Sequence, residues 1–208
     1  AFSYCSALTS ITLPKNVTRI GSEAFSCCSG LTSITLPDSV TEIGYRAFED
    51  CDGLTSITLP ETVTRIGRGA FSGCSYLTSI TIPEGVTEIG DSAFSYCSAL
   101  TSITIPESVK EIDYLAFSYC SNLERIKVNE NNKVYDSREN CNAIIEKSSN
   151  TLIAGCKNTK VPSGVTKIGY GAFENSGLTS ITIPESVKEI DYLAFSYCDN
   201  LTNITWKG

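Results

Sequence analysis

Apolar and polar residues alternate along this chain in a pattern that repeats every 23 residues. The stretch Ala93–Leu115, AFSYCSALTSITIPESVKEIDYL, is one copy of the pattern. Copies begin at Ala1, Ala24, Ala47, Ala70, Ala93, Ala116, Ala172 and Ala194. A fixed period of this length is typical of a solenoid, in which one supersecondary unit stacks on the next. The pattern therefore predicts a single solenoid domain of about eight coils over residues 1–208.

Each copy contains two short extended segments. In the second copy, Leu31–Leu36 reads LTSITL and ends in a two-residue alternation, which predicts a strand with its apolar side chains inward. Pro37 ends this strand because proline has no N–H to donate. Val40–Ile43 predicts a second short strand, and Ala47–Phe48 predicts a single helical or 3-10 turn that carries a large core residue.

One phenylalanine of each copy falls at the same place. These residues are Phe2, Phe25, Phe48, Phe71, Phe94, Phe117, Phe173 and Phe195. Stacked coils bring equivalent residues into columns with a spacing of roughly 4.8 Å, the distance between neighbouring strands. The phenylalanines are therefore expected to form one row of rings along the core, and not a ligand site.

Seven of the ten cysteines also share one position. They are Cys5, Cys28, Cys51, Cys74, Cys97, Cys120 and Cys198. Parallel Cα–Cβ bonds in a column would leave the Cβ atoms about 5 Å apart, farther than a disulfide needs. We expect reduced, buried thiols whose S–H groups donate to backbone carbonyls of the turn. A metal array is disfavoured, since the chain has no histidine and no C-x-x-C motif.

The period is interrupted by an insertion at about residues 129–161. Within it, Asn142–Glu146 and Thr151–Gly155 predict the strands of a hairpin that continues or covers the sheet. A turn centred between residues 148 and 149 would pair Ile145 with Leu152, Ile144 with Ile153, and Cys141 with Cys156. Such opposition favours a thiol pair or disulfide between Cys141 and Cys156 over a metal site, with the redox state left open. A loop of this size is also a candidate binding feature.

Composition excludes several classes of function. The net charge of −7 disfavours nucleic acid and anionic membranes as partners, and no apolar run has the length of a membrane span. Histidine, the commonest general base and metal ligand, is absent. No catalytic residue, cofactor or metal is therefore predicted. The chain starts and stops within a repeat and contains no methionine, so we expect a soluble fragment of a longer protein.

Two sets of exposed residues are candidates for binding. The outward positions of the first strands carry Ser and Thr, with one basic stripe in the sixth coil. The candidate partner surface comprises Ser56, Thr58, Ser79, Thr81, Ser102, Thr104, Arg125 and Lys127. These hydroxyls either solvate a strand face or form a flat docking surface. The second set is Tyr96, Tyr119 and Tyr114, which either contact a protein or a sugar or pack over neighbouring turns.

The consensus LxxIxLPxxVxxIGxxAFxxC, present over 1–128 and 162–208, resembles the BspA-like class of bacterial leucine-rich repeats. The resemblance implies an α/β-type leucine-rich repeat solenoid with a parallel β-sheet stack, short second strands and little regular helix. It also implies a secreted or cell-surface parent protein associated with adhesion to host proteins or other cells.

These observations lead to three hypotheses of function. The first is a non-catalytic extracellular or cell-surface module that binds a protein partner, such as a host or extracellular-matrix protein. The second is a carbohydrate- or cell-wall-binding module that uses the tyrosines. The third and least favoured is an enzyme site in the insertion around Tyr135, Asp136, Arg138 and Cys141.

Overall fold

The structure is a computed structural model that describes residues 1–207. These residues form a β-solenoid of about eight turns, with parallel sheets and almost no helix, which confirms the predicted fold class. The strands in chain order are β1 (Arg19–Ile20), β2 (Glu42–Ile43), β3 (Ser56–Ile57), β4 (Arg65–Ile66), β5 (Ser79–Ile80), β6 (Glu88–Ile89), β7 (Ser102–Ile105), β8 (Glu111–Ile112), β9 (Arg125–Val128), β10 (Tyr135–Asp136), β11 (Ala143–Glu146), β12 (Thr151–Gly155), β13 (Lys167–Ile168), β14 (Ser180–Ile183), β15 (Glu189–Ile190) and β16 (Asn203–Trp206).

The first strand of each coil pairs in parallel with that of a neighbouring coil. β3 pairs with β5, β7 with β9, and β14 with β16, so that Ser56 lies beside Ser79 and Ser102 beside Arg125. In β7 and β9 the side chains alternate between exposed and buried along the strand. Isoleucines therefore enter the core, and the hydroxyls and the basic stripe remain in solvent.

The second strands form another sheet, in the order β1-β2-β4-β6-β8. Its register places Arg19 beside Glu42, Glu42 beside Arg65, and Arg65 beside Glu88. Arg65 Nη2 lies 2.8 Å from Glu88 Oε1, and Arg19 Nη2 lies 3.0 Å from Glu42 Oε1. These alternating charges avoid like-charge repulsion from β1 to β6, although each exposed pair contributes only about 0–1 kcal/mol, and Glu88 then lies beside Glu111.

The single turn predicted at the Ala-Phe pair forms as isolated i→i−3 hydrogen bonds, such as Cys28 N to Phe25 O (3.1 Å), and not as regular helix. This segment consists of hydrogen-bonded turns, and the only helix among residues 1–207 is the 3-10 turn Arg138–Asn140. The Phe25 N–H donates to Ala47 O of the next coil (2.8 Å) instead of to its own coil, and residues flanking the pair, such as Glu23 and Cys27, have positive φ angles. Hydrogen bonds between coils thus alternate with the turn bonds and prevent the segment from continuing as a helix.

The core contains the predicted row of phenylalanine rings in two parts. From Phe2 to Phe117, neighbouring centroids are 5.3–5.5 Å apart with planes within 13° of parallel. Phe173 and Phe195 form a second stack at 5.1 Å. The insertion separates the two parts: Gly155 N donates to Ala172 O, the bond that a phenylalanine N–H makes in a regular coil, and the Phe173 ring fills the space beside Gly155. A side chain at residue 155 would collide with that ring.

The cysteine column has the predicted chemistry except at its ends, where Cys5 is exposed and Cys198 is only partly buried. Cys51 Sγ lies 3.1 Å from Phe25 O, and Cys74 Sγ lies 3.2 Å from Phe48 O, each as a donor to the preceding coil. All ten cysteines are free. Burial raises the pKa of Cys51 to about 12. These thiols therefore act as small core residues that satisfy one turn carbonyl each.

The insertion continues the second-strand sheet instead of covering it. Its strands β10, β11 and β12 are antiparallel to one another, and β12 then pairs in parallel with β13. Side chains on its two faces enter different parts of the core: Ile144 packs with the coils before the insertion, and Ile145 packs with the coils after it. The insertion is thus a two-sided layer within the stack.

The predicted hairpin register is correct only near the turn. Ile145 pairs with Leu152 as expected, but a bulge then shifts the register, so that Ile144 faces Ala154 and not Ile153. The extra residue removes Cys141 from opposite Cys156. The two free thiols lie in different core clusters, Cys141 after the insertion and Cys156 before it. The predicted thiol pair or disulfide is therefore wrong.

Candidate functional site

All eight residues of the predicted partner surface are exposed on one side of the solenoid. We call the outward residues of β3, β5, β7, β9, β14 and β16 the first-strand face. Within it, Arg125 and Lys127 of β9 lie beside Ser102 and Thr104 of β7. The structure therefore joins the hydroxyl rows and the basic stripe into one continuous surface.

The insertion interrupts this face between β9 and β14. Lys157 N donates to Leu123 O (3.0 Å), and Lys157 Nζ lies 3.4 Å from Glu124 Oε1, which holds the returning chain against the sixth coil. Thr159 Oγ1 donates to Asn142 O (2.6 Å) and accepts from Cys156 N (2.8 Å). These bonds fix a ridge, residues 138–142 and 157–163, beside the flat Ser/Thr face.

A cleft of about 900 Å³ lies on the C-terminal side of this ridge. Its walls carry Lys157, Lys160 and Lys207, with the hydroxyls of Ser180 and Thr182 on the floor. No carboxylate is among its lining residues. Two smaller clefts, of about 410 and 340 Å³, lie on the other side of the ridge beside Arg125.

The first-strand face near the ridge is thus basic, although the chain has a net charge of −7. Sequence reasoning found Arg125 and Lys127 because they break the Ser-x-Thr pattern, but it missed Lys157, Lys160 and Lys207. The lysines at 157 and 160 are visible in the sequence as K-x-x-K. Only the fold shows that this segment turns back onto the same face.

The residues of the enzyme hypothesis have structural partners. Tyr135 is buried, and its hydroxyl accepts a hydrogen bond from Ile112 N (3.0 Å). Arg138 makes two hydrogen bonds of 2.9 Å to the Asp136 carboxylate. Burial raises the pKa of the Cys141 thiol to about 11, which opposes formation of a nucleophilic thiolate at neutral pH. This arrangement stabilises the insertion and does not assemble a nucleophile with a base.

The tyrosines form two small clusters. Tyr96 and Tyr119 stack with centroids 4.1 Å apart, and Tyr197 lies 5.6 Å beyond Tyr119. Tyr114 meets Tyr170 edge to face at 5.6 Å. Desolvation, together with the nearby Glu174 carboxylate, raises the pKa of Tyr119. Since both faces of Tyr119 have tyrosine neighbours, the open rings are Tyr96, about half exposed, and Tyr114, about 71% exposed.

Two other features are absent from residues 1–207. No helix there has the length and apolar character needed to cross a bilayer. No group of three or more Cys, Asp or Glu residues in this part of the chain is arranged to hold a metal ion.

Comparison with known proteins identifies relatives along the whole chain. The model for the BspA type leucine rich repeat region matches residues 1–124, 46–150 and 139–208. No curated protein matches the chain. Solved structures do: a leucine rich cell surface protein from Faecalibacterium prausnitzii is 33% identical with a TM-score of 0.74, and the match covers 95% of this chain and 60% of that one.

Two further structures are similar. The pneumococcal vaccine antigen PcpA is 25% identical with a TM-score of 0.80, covering 95% of this chain and 50% of that protein. A leucine-rich repeat protein from Bacteroides ovatus is 28% identical with a TM-score of 0.71, covering 99% and 56%. The chain therefore spans between half and 60% of the length of these relatives.

Proposed function

The chain belongs to the BspA-type leucine-rich repeat family, and from that premise we propose that it is a non-catalytic cell-surface module that binds a protein partner through its first-strand face. Family and fold are typically non-catalytic, and one similar structure is a cell-surface protein. A host or extracellular-matrix protein is the partner class that fits adhesion at a cell surface. The parent protein would be secreted or displayed on the cell.

One observation carries the proposal: the ridge and the basic stripe coincide on the first-strand face. A flat strand face alone offers only hydroxyls, whereas the ridge adds concave walls on both sides. Arg125 and Lys127 and the lysines of the large cleft give this surface a positive potential within an acidic protein. Such a surface suits an acidic segment of a partner, because opposite charges speed the association of the two proteins.

The test uses a double variant that the repeat itself suggests. Arg125→Ser with Lys127→Thr installs the residues that Ser102 and Thr104 supply one coil earlier, so the fold should be retained. Purified chain is tested by surface plasmon resonance against a panel of matrix and cell-surface proteins. The double variant should weaken binding at least about tenfold, mainly through a slower association rate that depends on salt.

A second variant provides the charge control. Lys15→Ser with Lys110→Ser removes the same net charge from exposed positions outside the candidate partner surface, and it should bind like the original chain. If both double variants lose affinity equally, the effect is net charge and not this surface. If no protein in the panel binds, the proposal fails.

The carbohydrate hypothesis has one observation in its favour, the open ring of Tyr96. A neutral glycan that binds the chain and loses affinity in Tyr96→Ala, but not in the Arg125 and Lys127 double variant, would replace the protein-partner proposal with this one. A glycan array screened with the three proteins decides between them.

A further inference from the structure

Equivalent residues of the turns form a column on the surface of the solenoid, and one coil has glycine in this column where the others have a side chain. The residue before the cysteine position has a positive φ, between 43° and 76°, in every described coil. These residues are Tyr4, Cys27, Asp50, Gly73, Tyr96, Tyr119, Asn175 and Tyr197. Gly73 therefore leaves a slot between Asp50 on one side and Tyr96 on the other, roughly two coil spacings or 10 Å between their Cα atoms.

The walls of this slot are an aromatic ring and a carboxylate. One face of Tyr96 is covered by Tyr119 at 4.1 Å, and the other faces the coil of Gly73. Asp50 Oδ1 leans into the space that a Cβ at residue 73 would fill. The slot belongs to a cavity of about 730 Å³ that Asp52 and Ser75 also line.

The slot carries negative charge without a matching cation. Glu49, Asp50 and Asp52 line the cavity, and no Lys or Arg is among its lining residues. Glu49 is paired with Arg46 at 3.2 Å, and Asp52 accepts a hydrogen bond from Ser75 at 2.7 Å. Among the described residues, Asp50 is paired with no Lys or Arg, and the only side chain that donates to it is Cys27, with its thiol 3.9 Å away. The unpaired Asp50 carboxylate therefore lies opposite the uncovered face of the Tyr96 ring.

We propose that this slot binds an arginine side chain of a partner protein. A planar guanidinium can lie against the Tyr96 ring and at the same time donate two hydrogen bonds to the Asp50 carboxylate. The ring quadrupole and the carboxylate attract the same cation, so their effects reinforce each other. A neutral sugar could use the ring but would gain no charge pairing from Asp50. The site is separate from the first-strand face and selects the opposite charge.

Ligand-observed NMR with small probes tests the proposal on the full chain. N-acetyl-arginine methylamide should bind, whereas the citrulline analogue, which has the same shape and no charge, and methyl glucoside should not. Gly73→Tyr should abolish binding, because it extends the tyrosine stack into the slot. Tyrosine already holds this positive-φ position in four coils, and the group that must shift is the side-chain carboxylate of Asp50.

Two further variants keep the test decisive if Gly73→Tyr does not fold. Tyr96→Leu removes the ring and should weaken binding between about 2-fold and 30-fold, with Tyr76→Leu, an exposed tyrosine outside the slot, as the unchanged control. Asp50→Asn should weaken binding several-fold. Equal binding of citrulline, equal binding of the glucoside, or retained affinity in Tyr96→Leu would each overturn the proposal. The Arg125 and Lys127 double variant should bind the arginine probe normally, so failure here is distinct from failure of the proposed function.

Discussion

Truncation of one ring in the phenylalanine row should destabilise the fold strongly. Phe71 is fully buried, and its ring lies between Phe48 at 5.4 Å and Phe94 at 5.5 Å. Phe71→Ala would leave a cavity that cannot close, because strand ladders fix the distance between coils. Buried Phe→Ala changes cost about 3–5 kcal/mol. We expect the upper part of this range, since two ring contacts worth about 0.5–1.5 kcal/mol each are lost as well.

The matched control is the same substitution at the end of the row. Phe2 is 40% exposed and stacks only on Phe25, so Phe2→Ala should cost about 1–2 kcal/mol. Urea unfolding followed by circular dichroism gives both values. Hydrogen exchange should accelerate first in the coils around residue 71, because each coil is stabilised mainly by its neighbours. Equal losses for the two variants would refute the stacking argument.

Three further predictions concern the thiols and the turns. The free energy of unfolding should fall above pH 9. Burial raises the pKa of Cys51 and Cys120 to about 12, whereas thiols in the unfolded chain ionise near 9.0. Between these values the folded chain keeps protons that the unfolded chain loses. The contribution of the two thiols to the free energy of unfolding is complete below pH 9 and is lost from there towards pH 12, at about 1.4 kcal/mol per pH unit for each thiol. Equal urea midpoints at pH 8 and pH 10.5 would contradict this. The two thiols of the insertion should stay free under mild oxidation, so alkylation in denaturant followed by mass spectrometry should label both; a disulfide between them would show that the bulge is absent. Glu23→Gly should stabilise the fold by about 0.5–1 kcal/mol, because Glu23 has a φ of 53° at a position where other coils have glycine, whereas Glu61→Gly, at an exposed residue without positive φ, should not.

The repeated part of the fold could be predicted from the sequence because the same pattern recurs in eight copies, and an interpretation of one copy can be checked against the others. Alternating Ile34 and Leu36 define the inward face, and the fixed spacing of the phenylalanines places them in one row. The turn after the second strand does not lengthen into a helix because carbonyls of the next coil accept from N–H groups such as that of Phe25, a contact that local propensity does not encode.

The insertion occurs only once in the chain, so its interpretation cannot be checked against a second copy, and the sequence predicted it less well. Symmetric pairing about the turn predicted that Cys141 faces Cys156, but the extra residue Ile153 in β12 places the two thiols on opposite faces of the hairpin. The ridge depends on non-local bonds, such as that from Lys157 N to Leu123 O, which no local pattern encodes. The uncovered face of the Tyr96 ring likewise results from the missing side chain at Gly73, and the two residues are neighbours only once the coils are stacked.

Hydrogen exchange of the chain bound to a partner from the protein panel tests the central claim most directly. The account predicts new protection in β7, β9 and β14 and in the ridge, around Ser102, Arg125, Lys157 and Ser180, with the second strands around Glu42 and Glu88 unchanged. Protection confined to the second-strand side, with the ridge still exchanging freely, would contradict it.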